Sequence, residues 1–337
     1  MINLVLCGGA GKRLWPLSAT DTPKQFIRFG MEESLYIKTI KRNQGLCDKT
    51  VVVTDQKYSE TADQQVMDEK ISAEIILEPS GKSTAPSIAI ACLLYPNSII
   101  LATPADHEIS DIEAYSEAVV KAKKLAEEGN IVVFGIQPEK PEDRFGYIEA
   151  KGDDVVTFHE KPELSIAENY IKNGYLVNSG MLCFNSDVML HELLRFMPDQ
   201  MMIARSVYEN IRSGRATHRL CGRFMGQMKN ISIDHAVLEK TDKLKCVSGI
   251  KGWRDVGTYC SIHDMRRKDK NGNVGLNLGD SFGCADFVGC KDSMIITKES
   301  DIILCGLDDV VVVEANGKVL VAKKDIDIQA ALKQLED

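Results

Sequence analysis

Apolar positions along this chain fall into short unbroken runs, separated by stretches in which they recur every three or four residues. The runs, at residues 3–7, 50–54, 74–77, 98–102 and 131–135, are rich in Val, Ile and Leu and predict strands buried on both faces. The intervening stretches, of which residues 114–128 are the clearest, carry the helical period. A strand-helix-strand rhythm predicts an α/β fold with a Rossmann-like mixed, mainly parallel sheet covered by helices. Ligands of such sheets sit beyond the carboxyl ends of the strands.

From about residue 270 the texture changes to strands punctuated by Gly and Asp, with no helical period until residues 326–335. Within it Leu278, Cys284, Cys290, Ile296 and Ile302 recur every six residues, which predicts a short parallel β-helix with one apolar side chain stacked over the next. The register fails at Asp308. The expected domains are therefore an α/β unit over residues 1–268 and a short β-helix with a terminal helix over residues 269–337.

Composition narrows the functional classes. A net charge of −8 withholds the attraction expected of a general nucleic-acid binder, so an anionic ligand needs a locally basic pocket. The ten cysteines form no C-x-x-C pair or zinc-spaced cluster and read as small buried hydrophobes of a reducing compartment. No run approaches about 18 apolar residues and residues 1–7 lack a basic leader, so a cytoplasmic protein without membrane contact is expected.

Two of the predicted strand ends carry what a phosphate site needs: Gly8-Gly9-Ala10-Gly11-Lys12-Arg13 after the first, and Thr103-Pro104-Ala105-Asp106-His107 after the fourth. Closely spaced glycines let backbone amides approach phosphate oxygens. The spacing excludes a Walker loop, which needs Gly at Leu6 and Ser or Thr at Arg13, and a dinucleotide fingerprint, which needs Gly at Leu14. The loop continues as Arg13-Leu14-Trp15-Pro16-Leu17-Ser18 and then Pro23-Lys24-Gln25-Phe26. Here the chain resembles the sugar nucleotidylyltransferase family, in the forms of its GDP-mannose branch. Thr84-Ala85-Pro86, Phe145-Gly146-Tyr147-Ile148, Phe158-His159-Glu160-Lys161-Pro162, Asn178-Ser179-Gly180-Met181, Ser232-Ile233-Asp234-His235-Ala236 and Trp253-Arg254-Asp255-Val256-Gly257 follow in the family's order. Two departures stand out: Lys82-Ser83 replace the usual Arg-Asn before Thr84, and Arg144-Phe145 replace the usual Gly-Tyr before Gly146.

The resemblance implies a left-handed sense for the β-helix and transfer of GMP from GTP to mannose 1-phosphate, with a phosphate oxygen of the sugar attacking the α-phosphorus in line with departing pyrophosphate. The nucleophile is already ionised, so the protein must position groups and neutralise charge. Arg13 is expected on the triphosphate and Lys24 on the α-phosphate, with Gly8, Gly9, Gly11, Glu78, Ser83, Thr84 and Asp106 completing the nucleotide site. Glu78, or carbonyls near Gly8 and Gly9, would accept from the guanine edge. Asp106 and Asp255 are expected to hold Mg²⁺, which Mn²⁺ or Co²⁺ can replace. Outside the resemblance, Asp106 could cap a helix and Asp255 make an Asx-turn. Gly146, Glu160, Lys161 and Asn178 are expected on the sugar phosphate, with Lys161 neutralising its charge and Pro162 forcing the turn that aims Glu160 and Lys161 into one pocket. His107 is expected to pack behind the site. The same chemistry on another sugar 1-phosphate, such as a heptose, is the alternative, and a non-catalytic nucleotide-sugar sensor is a more remote one. The C-terminal stack and terminal helix are expected to make homodimer contacts.

Overall fold

The structure, a computed structural model, describes residues 1–9, 12–18, 22–211, 217–279 and 283–334. The chain separates into two compact units, one of Met1–Gly8, Thr39–Ala105 and Ile109–Trp253, the other of Gly9–Lys38, Asp106–Glu108 and Arg254–Asp337.

The first unit is built on a ten-stranded sheet. Its strands are β1 (Ile2–Cys7), β2 (Lys49–Asp55), β3 (Glu74–Glu78), β4 (Ile99–Pro104), β6 (Ile131–Ile136), β7 (Tyr147–Lys151), β8 (Asp154–His159), β9 (Leu176–Asn185), β10 (Thr217–Arg219) and β11 (Leu244–Ser248), and β5 (His107–Ile109) lies apart. The order is β10-β3-β2-β1-β4-β9-β6-β11-β8-β7. Each of the five sequence-predicted runs is a strand, and β1 through β4 pair in parallel. Between β4 and β6 the chain inserts β9 antiparallel to both.

Alternate residues explain why these strands read as unbroken apolar runs. Ala102, Ile131 and Val133 join one buried cluster, whereas Leu101, Val132 and Phe134 join another on the opposite face. The covering helices are α1 (Leu35–Asn43), α2 (Ser59–Asp68), α3 (Thr84–Leu94), α4 (Ile112–Glu127), α5 (Leu164–Lys172), α6 (Ser186–Phe196), α7 (Pro198–Glu209) and the one-turn α8 (Gly222–Met225). α4 begins at Asp111, whose carboxylate accepts from Ala114 N, and lays Tyr115, Ala118, Val119 and Ala122 on the sheet. Among the described residues no helix is long and apolar enough to cross a membrane.

β5 pairs with β12 (Trp253–Asp255) in a short ribbon along which the chain passes between units. Each end is held within its own unit: Ser110 N donates to Gly252 O at 3.1 Å in the first, and Val256 N to Asp106 O at 3.2 Å in the second.

The second unit contains β13 (Val274–Asn277), β14 (Ala285–Val288), β15 (Met294–Thr297), β16 (Ile302–Cys305), β17 (Val310–Ala315) and β18 (Lys318–Lys323), with α9 (Tyr259–Met265) and α10 (Ile328–Lys333). β13, β15 and β17 pair in parallel and β18 closes the sheet antiparallel, while β14 and β16 form a separate parallel pair. The six-residue recurrence is not the stacking register. Leu276 lies beside Ile296 and Ile296 beside Val313, so successive rungs are 20 and 17 residues long, and Cys284 is exposed. The strand pairing sets Leu276, not Leu278, beside Ile296, and Val274, Leu276 and the half-buried Leu278 all pack on a core with Leu14, Leu17, Phe29, Val256 and Ile262. Residue 335, the end of the predicted terminal helix, lies outside the described residues.

One buried carboxylate fixes a turn of this unit. Glu314 accepts from Thr297 Oγ1 at 3.0 Å and from the amides of Lys298 and Glu299 at 2.9 Å each. Burial opposes its charge, but these donors win and hold the carboxyl below the ordinary value of 4.5. Glu314→Ala is expected to cost about 2 kcal/mol, since it strands buried donors. The stabilisation from the charge is full above the ordinary value and lost as pH falls through the lowered one, so urea denaturation of wild type and variant should converge in acid.

Candidate active site

Lys24 follows Pro23 in a short 3₁₀ turn, and its side chain is buried at 8 % exposure. Its Nζ lies 2.7 Å from Asp106 Oδ2 and 3.2 Å from Asp255 Oδ1. Burial alone would discharge this ammonium, but the two carboxylates outweigh it and raise its pKa above the ordinary 10.5, against a smaller opposing effect of Arg13. Reciprocally, burial disfavours the Asp106 carboxylate, yet Lys24 and then His107 hold its pKa down at about 2. The ribbon of β5 and β12 brings Asp106 and Asp255 together, so neither serves merely as a helix cap or a turn residue.

Arg13 is half-buried in the turn Lys12–Leu14. A Cβ built on Gly257 would stand 3.1 Å from Asp255 Oδ2 and 3.3 Å from Arg13 Cζ, so the missing side chain lets guanidinium and carboxylate share one gap. His107 Nε2 lies 3.8 Å from Asp106 Oδ1. Asp106, His107 and Asp255 each offer a ligand atom within 4.8 Å of the others. Two carboxylates and an imidazole suit a divalent cation whose remaining positions are filled by water or phosphate oxygens. The donor set therefore fits a metal of that kind.

Gly8 and Gly9 are exposed, and no atom stands within 4 Å of where either would carry a Cβ. Gly9 has φ +91°, a conformation that side chains rarely adopt, and its carbonyl accepts from Gln25 Nε2 at 3.4 Å. Gly11 lies outside the described residues. Glu78 ends β3, buried, with its Oε1 accepting from Ser87 Oγ at 2.7 Å. Burial pushes its carboxyl up to about 7 despite the Ser87 and Lys82 donors. Ser83 and Thr84 start α3, where Ser83 N donates to Asn230 Oδ1 at 2.8 Å and Thr84 Oγ1 accepts from Ile233 N at 2.9 Å.

The four residues expected on the sugar phosphate converge in the first unit. Tyr147 pairs with both His159 and Val177, which sets Gly146, Glu160 and Asn178 at one level of neighbouring strands. Asn178 N donates to Gly146 O at 2.8 Å. A Cβ on Gly146 would meet Glu160 Oε2 at 2.9 Å and Phe158 Cζ at 3.1 Å. Glu160 is buried and Lys161 mostly exposed, with Lys161 Nζ 2.6 Å from Glu160 Oε1. Lys161 takes φ +44°, so a left-handed residue before Pro162 makes the turn that joins the pair.

Across this chain the nucleotidyl transferase family model matches residues 2–272. The chain belongs to the nucleotidyl transferase family. Among curated relatives, a mannose-1-phosphate guanylyltransferase of Escherichia coli is 34 % identical over 96 % of this chain and 73 % of its own length. The alginate biosynthesis protein AlgA of Pseudomonas aeruginosa is also 34 % identical, over 100 % of this chain and 72 % of its own. A crystal structure described as mannose-1-phosphate geranyltransferase from Thermus thermophilus superposes with a TM-score of 0.84 at 28 % identity, covering 99 % of each chain. This nucleotidyl transferase is thus an enzyme whose class of reaction is nucleotidyl transfer to a sugar 1-phosphate, as the motifs implied at that level.

Sequence reasoning gave no role to Asp234, to Gly257 or, as a metal neighbour, to His107. All three lie inside quoted motifs. Asp234 accepts from Asn178 Nδ2 at 3.1 Å, and Gly257 is defined only by what its missing Cβ would strike.

Proposed function

We propose that the chain transfers GMP from GTP to α-D-mannose 1-phosphate, giving GDP-mannose and pyrophosphate. The observation that carries the reading is the 34 % identity to a guanylyltransferase across 96 % of the chain, beside a family match over residues 2–272, the span that holds every residue assigned to the chemistry. A phosphate oxygen of the sugar attacks the α-phosphorus, the bond to the bridging oxygen breaks, and the electron pair leaves with pyrophosphate. Arg13 and the backbone of Gly8, Gly9 and Gly11 hold the triphosphate, Lys24 the α-phosphate, and Glu78, Ser83 and Thr84 the base side. Lys161 neutralises the incoming phosphate while Glu160, Asn178 and the open backbone of Gly146 hold the sugar. Asp106 and Asp255 would hold Mg²⁺, or Mn²⁺ or Co²⁺ in its place. When bound, the cation neutralises phosphate charge. In the same reading, residues 1–268 form the catalytic domain and residues 269–337 a short left-handed β-helix that supports a homodimer, and the enzyme works in the cytoplasm.

The test is pyrophosphate release with Mg²⁺, crossing four NTPs with mannose, glucose, N-acetylglucosamine and heptose 1-phosphates. Release with GTP and mannose 1-phosphate alone supports the reading. Another productive pair moves the substrate, and silence favours a sensor.

Gly146→Ala is expected to drive Glu160 from its place, raising KM for the sugar phosphate about tenfold through the loss of one charge-assisted contact. KM for the nucleotide should stay unchanged; an equal rise in both would place Gly146 outside the sugar site.

A further inference from the structure

Asp234 opens a π-helical turn, Asp234–Leu238, whose Ala236, Val237 and Leu238 are anchored in the core of the first unit. It makes no salt bridge among the described residues, although it lies close enough to Glu160 and Lys161 to feel both charges. Burial first, and then Glu160, push its carboxyl up to about 6. A half-buried acid set beside another acid is poorly placed to stabilise the fold. Its carboxylate accepts from the Ser232 side chain and from Asn178, whose carboxamide is held at both ends: Oδ1 accepts from Gly180 N at 3.1 Å and Nδ2 donates to Asp234 Oδ1 at 3.1 Å. Without an acceptor at Asp234 the carboxamide would keep only the Gly180 contact. With both contacts made, one N–H and one lone pair of Asn178 remain for a ligand.

We propose that Asp234 is a positioning residue of the sugar-phosphate site, fixing which end of the Asn178 carboxamide is offered to which sugar hydroxyl and so contributing to the choice of sugar. The inference rests on the placement of Asn178 in that site.

The experiment uses the full chain and compares Asp234→Ala, Asn178→Ala and the double variant by pyrophosphate release. Asp234→Ala is expected to raise KM for the accepted sugar 1-phosphate about tenfold or more, the scale of one hydrogen bond to a charged group, and to leave KM for the nucleotide within about twofold. The double variant should be no worse than Asn178→Ala alone, because the one residue acts through the other. Asp234→Asn keeps an acceptor for Nδ2 and should recover most of the loss. Additive single effects, an equal rise in nucleotide KM, or no effect of Asp234→Ala would each overturn the proposal. An Asn178→Ala variant with unchanged sugar KM would instead sink the placement of the sugar site itself. If Asp234→Ala fails to fold, Asp234→Ser, too short to reach Nδ2, is read in the same way.

Discussion

Asp255→Asn is expected to lower turnover about a hundredfold or more, the scale seen when one preorganised charge-stabilising group is removed from an active site. The substitution preserves shape and removes a charge. Lys24 keeps its shorter contact, 2.7 Å to Asp106, so the fold should survive with little change in Tm. What is lost is one of two carboxylates facing the same gap as Arg13 and His107. Titration of Mn²⁺ by electron paramagnetic resonance should show weakened binding in parallel with the lost turnover, and EDTA should abolish what activity remains. Near-normal turnover would take Asp255 out of the metal site.

Lys24→Met should have the largest combined effect. Methionine fills the same channel with no charge, leaving Asp106 and Asp255 facing each other in a partly buried site. Breaking a buried pair by removing one partner costs about 3–5 kcal/mol, and because Asp106 is 24 % exposed a loss of about 2–3 kcal/mol is expected here. The pH dependence follows from the two shifts. The Lys24 contribution is full below its ordinary value of 10.5 and lost as pH rises through the raised one. The Asp106 contribution is full above its ordinary 3.8 and lost as pH falls towards about 2. Denaturant midpoints should therefore fall for wild type, and much less for the variant, between about pH 4 and pH 2. Turnover should drop by about a hundredfold as well, since Lys24 is assigned to the α-phosphate. A variant as stable as wild type would mean that the carboxylates find other partners.

The strands around β1 were legible because burial on both faces writes an unbroken apolar run, as at Leu4 and Val51. The direction of β9 was not legible, since an apolar run carries no sign. Nor was the ribbon of β5 and β12, whose strands have three residues each, too few for any period. Yet that ribbon is what assembles the charged cluster, in which Lys24 and Asp255 meet from 231 residues apart. The motif match pointed to Glu160 and Lys161 as a pair, and the left-handed backbone at Lys161 that joins them is invisible to residue type. Asp234 stood inside a recognised motif and went unused because its partner, Asn178, is 56 residues away. In the C-terminal strands a six-residue recurrence was real as a count and misleading as geometry, because the strand pairing spaces the rungs 20 and 17 residues apart.

The start of α3 is tied to the segment that leads into Asp234. Ser83 N donates to Asn230, Ala85 N to Ile231 O, and Ile233 N closes back on Thr84, only one residue before Asp234. The residues assigned to the nucleotide and the turn assigned to the sugar are thus stitched into a single backbone clasp. On those assignments, exchanging residues 79–84 for those of a relative that uses another nucleotide is expected to disturb sugar selection unless residues 230–234 are exchanged with them.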